Sequence, residues 1–300
     1  MKKSILHATD RSRMPHSVLI LFTALMVVIA AACAQNSVSA ERAWPESLGA
    51  PVAMAAADAP DIRVLRNPGF VVGFDRRRGR AAWVAYRVEP IAAYEHMPRP
   101  QFRPDPRIED PVPRELYKRR KYDRGHMAPN YAMAQIHGRE AQLASFYYSN
   151  ILPQTQRLNQ LLWQRLEEIE TDYLAPRLDV LWVLMGPIYD NADSLLPVAF
   201  FRIWLTRGDD DQWQAMAFIV PQDVRGDERL DQYLVAIDTI EQRTGLNVFP
   251  GFSEQQEQRV ESHQAQARLW GFIDKACMPA RYREHWESRG GIRLNFDRCD

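Results

Sequence analysis

An α+β fold is predicted for this chain on three observations. Runs of β-branched and aromatic residues recur at strand length, two segments repeat apolar residues at helical spacing, and the two kinds do not alternate regularly. The first paired element is a hairpin. Gly69–Asp75 and Ala81–Val88 are apolar runs on either side of the basic, Gly-containing turn 76–80. Residues 97–122 are punctuated by proline, which removes backbone donors and clashes with the preceding turn, so they form an irregular basic loop. Phe146–Ile151 reads as a strand. Gln156 to about Glu170 reads as a helix with Leu158, Leu162, Leu166 and Ile169 on one face. Strands follow at Val180–Met185, Ala199–Leu205 and Gln214–Val220. Leu230, Leu234, Ile237 and Ile240 then recur at helical spacing up to Gly245.

Both ends differ in composition from this middle. Lys2, Lys3, Arg11 and Arg13 precede the apolar stretch Val18–Ala32, and small residues follow, the order of a secretory signal. Cleavage after Val38-Ser39-Ala40, lipidation at Cys33 after Ala30-Ala31-Ala32, and an uncleaved anchor are the competing outcomes. Export to the periplasm or medium is the expectation, with membrane attachment through Cys33 or an uncleaved anchor as its variant. Residues 1–40 are therefore set apart, and 41–66, rich in Ala, Ser and Pro without sustained periodicity, reads as a linker. The main domain is expected over 67–252. From Ser253 the chain becomes Gln-, Glu- and Arg-rich, a helical tail bounded by Cys277 and Cys299, which form a candidate disulfide in an oxidising compartment.

With 38 basic and 38 acidic residues the chain has no overall basic field, so any polyanion-binding surface is local. Lys118, Arg119 and Arg120, in the proline-punctuated loop, are candidates for sequence-independent phosphate contacts. The chain has no P-loop, no Gly-x-Ser-x-Gly elbow and no His-Glu-x-x-His helix.

The chemistry-bearing residues are Asp123-Arg124-Gly125-His126, then Asn150, and then Asn159, Trp163 and Glu167. Phosphodiester hydrolysis needs an activated water, charge stabilisation on the phosphoryl oxygens and help for the leaving oxygen. A histidine can accept a proton near neutral pH, and an oxygen-ligated divalent cation can act as Lewis acid. Asn159 and Glu167 fall on one side of the predicted helix but ~12 Å apart along its axis, so direct ligation by Asn159 with a water-mediated contact from Glu167 is the easier arrangement. A helix-start asparagine that satisfies backbone donors is the plain alternative for Asn159.

Asp123–Pro129, Tyr148–Gln154 and Leu158-Asn159-Gln160 with Trp163 and Leu166-Glu167 resemble the DNA/RNA non-specific endonucleases, the ββα-metal nucleases. Met185–Tyr189 and Ile240–Leu246 match them more loosely, and the resemblance extends over residues 65 to 252. It implies a central, mainly antiparallel sheet flanked by helices. It also implies cleavage of DNA and RNA through the phosphate backbone with Mg2+ or Mn2+ and no organic cofactor. His126 would be the general base, Asn159 the direct metal ligand and Glu167 a ligand through water. Asn150 would help place the site, Asp123 would support the loop, and Arg124 would contact phosphate or steady the motif. Arg99 would clamp phosphate, with Arg103 the other candidate. Relatives carry an arginine four residues after the helix glutamate, where this chain has Thr171. A nucleic-acid-binding protein with weak turnover is the alternative this departure suggests. The tail is a candidate for recruiting a protein partner or inhibitor, and a homodimer is left open.

Overall fold

The computed structural model describes residues 43–55, 59–109, 122–178, 180–191, 193–208, 210–265, 270–281, 283–288 and 294–296. All belong to one compact unit, residues 39–300. The signal segment, Lys118, Arg119, Arg120 and Cys299 lie outside the described residues.

The centre is a seven-stranded antiparallel sheet. Its strands in chain order are β1 Ile62–Asn67, β2 Phe70–Asp75 and β3 Arg80–Val88, then β6 Leu181–Ile188, β7 Ala199–Arg207, β8 Trp213–Pro221 and β9 Leu234–Val235. Their order across the sheet is β9-β8-β7-β6-β3-β2-β1. β4 Asp123–His126 and β5 Ile151–Gln154 form a separate antiparallel pair. The central strands read as continuous apolar runs because both faces are covered, and alternate residues go to opposite cores. Phe70, Val72, Val84, Tyr86, Phe200 and Trp204 join one core. Val71, Trp83, Ala85, Phe201 and Ile203 join the other.

The first face is covered by α1 Asn130–Ser145, by a long helical run and by Trp270, Phe272 and Ala276 of the tail. That run comprises a wide-turned segment Leu158–Leu162, the α-helix α2 Trp163–Glu168 and a second wide-turned segment Ile169–Leu174. Leu158, Leu162, Leu166 and Ile169 point into the core, as their spacing predicts. The second face is covered by α3 Ile237–Thr244, by α4 Glu254–Val260 and by Ala43, Trp44 and Leu48.

Four expectations change. The presumed linker is framework: Ala43 and Leu48 are fully buried, Val52–Ala53 pairs with Leu246–Asn247, and Ile62–Asn67 is an edge strand. Its strand alternates only partly, and its other contacts are isolated apolar residues, so no periodicity marks it. The Phe146–Ile151 strand begins later, because Tyr148–Asn150 is a 3-10 turn and the strand is Ile151–Gln154. The Leu230–Ile240 spacing is not one helix, since Leu234–Val235 pairs with Phe218 and Ala217 at the sheet edge and only Ile237–Thr244 is α-helical. The expected boundary at Ser253 does not set the tail apart from the domain, since Val260 joins the second core and Trp270, Phe272 and Ala276 the first. Cys277 within the tail is disulfide-bonded.

Candidate active site

The β4–β5 pair, a hairpin interrupted by α1, lies beside α2, which makes a ββα unit at the mouth of a cleft of about 1020 Å³. Gly125 lets the hairpin close, because a Cβ there would sit 2.0 Å from the Gln154 side chain. His126, at the end of β4, pairs with Ile151 in register and faces the cleft. Its ring lies 4.7 Å from Phe146, edge-on, and 5.3 Å from Phe102. His126 Nε2 is shielded and has no hydrogen-bond partner. Burial, and after it the charge of Arg99, pushes the His126 pKa down to about 3, so the imidazole is neutral at any ordinary pH.

Across the cleft stand Asn159 and Glu167. The Asn159 amide nitrogen donates to Asp123 Oδ2 at 2.8 Å, and Gln160 donates to the same oxygen at 2.6 Å. Asp123 therefore joins helix to hairpin and commits the donor end of Asn159, which leaves its carbonyl oxygen as the atom suited to a hard cation. Glu167 is half-buried, and desolvation drives its pKa up to about 8, more than Arg202 lowers it. A half-buried carboxylate so disfavoured as an anion is a site that a cation or its hydration shell would relieve. The donor set thus fits a divalent cation.

Arg99 and Arg124 also line the cleft, with guanidinium carbons 5.1 Å from the Phe146 ring and 5.2 Å from the Phe102 ring. Arg103 does not; it lies over Tyr147 and donates to the Leu143 carbonyl. Asn150 is fully buried, and its side chain donates to the Ala128 and Ser145 carbonyls and accepts from the Ala128 amide. These bonds hold the backbone just after His126. Thr171 lines the cleft, with its hydroxyl donating to the Glu167 carbonyl at 3.1 Å. The sequence reading missed Phe102 and Phe146 as walls of the histidine, and Arg281, His285 and Trp286, which the tail brings to the cleft. Nothing local in the tail sequence signals that placement.

A second acidic group, Asp238, Glu241 and Glu261, has carboxylate atoms within 4.8 Å of one another. It lies on α3 and just past α4, the elements that cover the second sheet face.

A hairpin carrying a histidine, closed by a helix carrying an asparagine and a glutamate beside a wide antiparallel sheet, is the ββα-metal nuclease fold. A family model described as DNA/RNA non-specific endonuclease matches residues 50–255, and the chain belongs to that family. It is 28% identical over 210 residues to "Nuclease EXOG, mitochondrial" of Danio rerio, covering 62% of this chain and 60% of that one. It is 30% identical over 153 residues to "Nuclease" of Serratia marcescens, covering 47% of this chain and 56% of that one. The chain thus spans about half to three-fifths of these relatives' length. Endonuclease G in the solved EndoG/EndoGI complex shares the fold, with a TM-score of 0.57 at 23% identity over 64% of this chain and 88% of that one.

Proposed function

We propose that this chain hydrolyses phosphodiester bonds of DNA and RNA without regard to sequence, using one magnesium or manganese ion. The observation that supports this best is the convergence of His126, Asn159 and Glu167 on one cleft that also holds Arg99 and Arg124. Asn159, and Glu167 through water, would hold the cation, which would stabilise negative charge on the phosphoryl group.

The protein's own groups divide the remaining work. His126, which lines the cleft with an unsatisfied Nε2, accepts a proton from the attacking water. Phe102 and Phe146 fix the ring and limit bulk water around it. Asn150 and the Met127 amide, which donates to the Asn150 carbonyl at 2.9 Å, set the backbone that carries the ring. Arg99 and Arg124 offer planar donors to phosphate oxygens, a geometry suited to backbone recognition without base reading.

Thr171 favours a second reading, binding with weak turnover, because it puts a hydroxyl, already bonded within its own turn, where a cationic donor would help. Plasmid nicking by the full chain with magnesium, manganese or EDTA, beside His126→Ala and Asn159→Ala, separates the two. Cleavage that requires the metal and both side chains supports the nuclease. A folded chain that retains nucleic acid on a gel but cuts nothing with either metal supports the second reading.

The N-terminal pattern supports export. Recovered mature protein that begins near Glu41, or acylated Cys33, is the expected finding; protein retaining Met1 in the cytoplasm would contradict it.

A further inference from the structure

The tail beyond the matched family region reaches the cleft through contacts that hold it firmly. Arg165 on α2 is 1% exposed and donates to the carbonyls of Ala276 and Met278, both at 2.6 Å. Leu161 packs with Ala280, Leu294 and Phe296. Between these anchors the Arg281 amide donates to both carboxylate oxygens of Glu168 at 3.1 and 3.2 Å. Its guanidinium pairs with Asp172 and lies 5.7 Å from the Tyr131 ring. Tyr131 follows the His126 strand, whereas Glu168 and Asp172 continue the helix of Glu167, so Arg281 touches both walls of the cleft.

Its pair with Asp172 is no obstacle to a substrate, and its second pair, to Glu168, is a loose one at 4.0 Å. The Arg281 and Asp172 side chains are 46% and 45% exposed, and pairs at such exposure are worth about 0–1 kcal/mol. A guanidinium so held can exchange a carboxylate for a phosphate, which it binds with two parallel donors. Thr171, on the adjoining turn, offers no cation to do this instead.

We propose that the C-terminal tail builds a phosphate subsite into the cleft, with Arg281 as its anion-binding residue for a backbone phosphate next to the one being cut. This rests on the nuclease reading above.

The test is equilibrium binding of a fluorescein-labelled DNA duplex to full chain carrying His126→Ala, over a series of salt concentrations. Arg281→Ala should weaken binding about tenfold, the loss of one charged hydrogen-bonding group. It should also flatten the slope of log affinity against log salt by about 0.9, one phosphate contact. Arg281→Lys should restore most of the slope. Asp172→Asn should tighten binding, and the gain should vanish when Arg281→Ala is added. The Arg281 amide bond to Glu168 survives these substitutions, and an unchanged melting temperature checks the fold. Binding curves for Arg281→Ala that superimpose on the parent at every salt concentration would overturn the subsite and leave the nuclease intact. A folded parent that binds no duplex would overturn both.

Discussion

Glu167 and Glu170 sit three residues apart on one helical run and both line the cleft, yet one is half-buried at its wall and the other is sunk into the core as its floor. Glu170 is 1% exposed and fully provided for. It accepts from Arg202 Nε and Nη2 at 2.5 and 2.7 Å, from the Tyr86 hydroxyl at 2.8 Å and from Trp204 Nε1 at 2.5 Å. The pairing drives the Arg202 pKa upward despite burial, and Arg202 also bonds the Tyr86 hydroxyl. Glu167 has no such set, and burial pushes its pKa up to about 8. The contrast separates frame from chemistry. Glu170 is saturated with donors from the frame, while Glu167 is left undersupplied where a cation would reach it.

Substitutions can sharpen or break that distinction, and His126→Ala should have the largest effect. The cleavage rate should fall ~10²- to 10⁴-fold with no change in melting temperature. Retained cleavage would place the base elsewhere. Next is Glu170→Gln, which leaves Arg202 buried without its counter-charge. Chemical denaturation should show a loss of ~3–5 kcal/mol. A neutral result would mean the network is not the frame. Glu167→Gln should cost about 10- to 100-fold in activity, the usual toll of an outer metal partner, and should not destabilise the metal-free protein. A large drop in melting temperature would place Glu167 with Glu170 instead.

The smallest effect concerns Glu261, which has a buried, unpartnered Oε1 but stands in the acidic group beside the second sheet face. Burial first, then Glu241, Glu257 and Asp238, raises its pKa to about 8. Because the folded value is raised, its contribution to stability is whole below about pH 4.5 and is lost as pH climbs through 8. Glu261→Gln should therefore leave the melting temperature unchanged near pH 4.5 and raise it above pH 8. Parallel melting curves across that range would refute this. An undersupplied carboxylate is thus not enough to mark a reaction centre; Glu167 differs in sharing its cleft with His126 and Asn159.

The sequence displayed the candidate site residues better than the frame. His126 stands on a short strand and Asn159 and Glu167 on one helical run, where neighbouring residues share a local pattern, and the hairpin 70–88 and the strands from Leu181 onward show as apolar runs. Helix α1 was not legible, because its core positions are mostly alanines and it breaks at Gly138, where φ is 83°. Arg165 and Arg202 look like ordinary solvated charges in the sequence, and only tertiary partners far along the chain make them interior. Arg281 was hidden for the same reason, since its contacts with Glu168 and Asp172 span more than a hundred residues.

Arg165 also bears on the order in which the molecule sets. Its side chain sits in the helix that carries Glu167, and two of its carbonyl acceptors, those of Ala276 and Met278, lie more than a hundred residues further along the chain. Docking the helix before that stretch is in place would bury a cation lacking those acceptors, so the cleft takes its final shape only once the tail is seated.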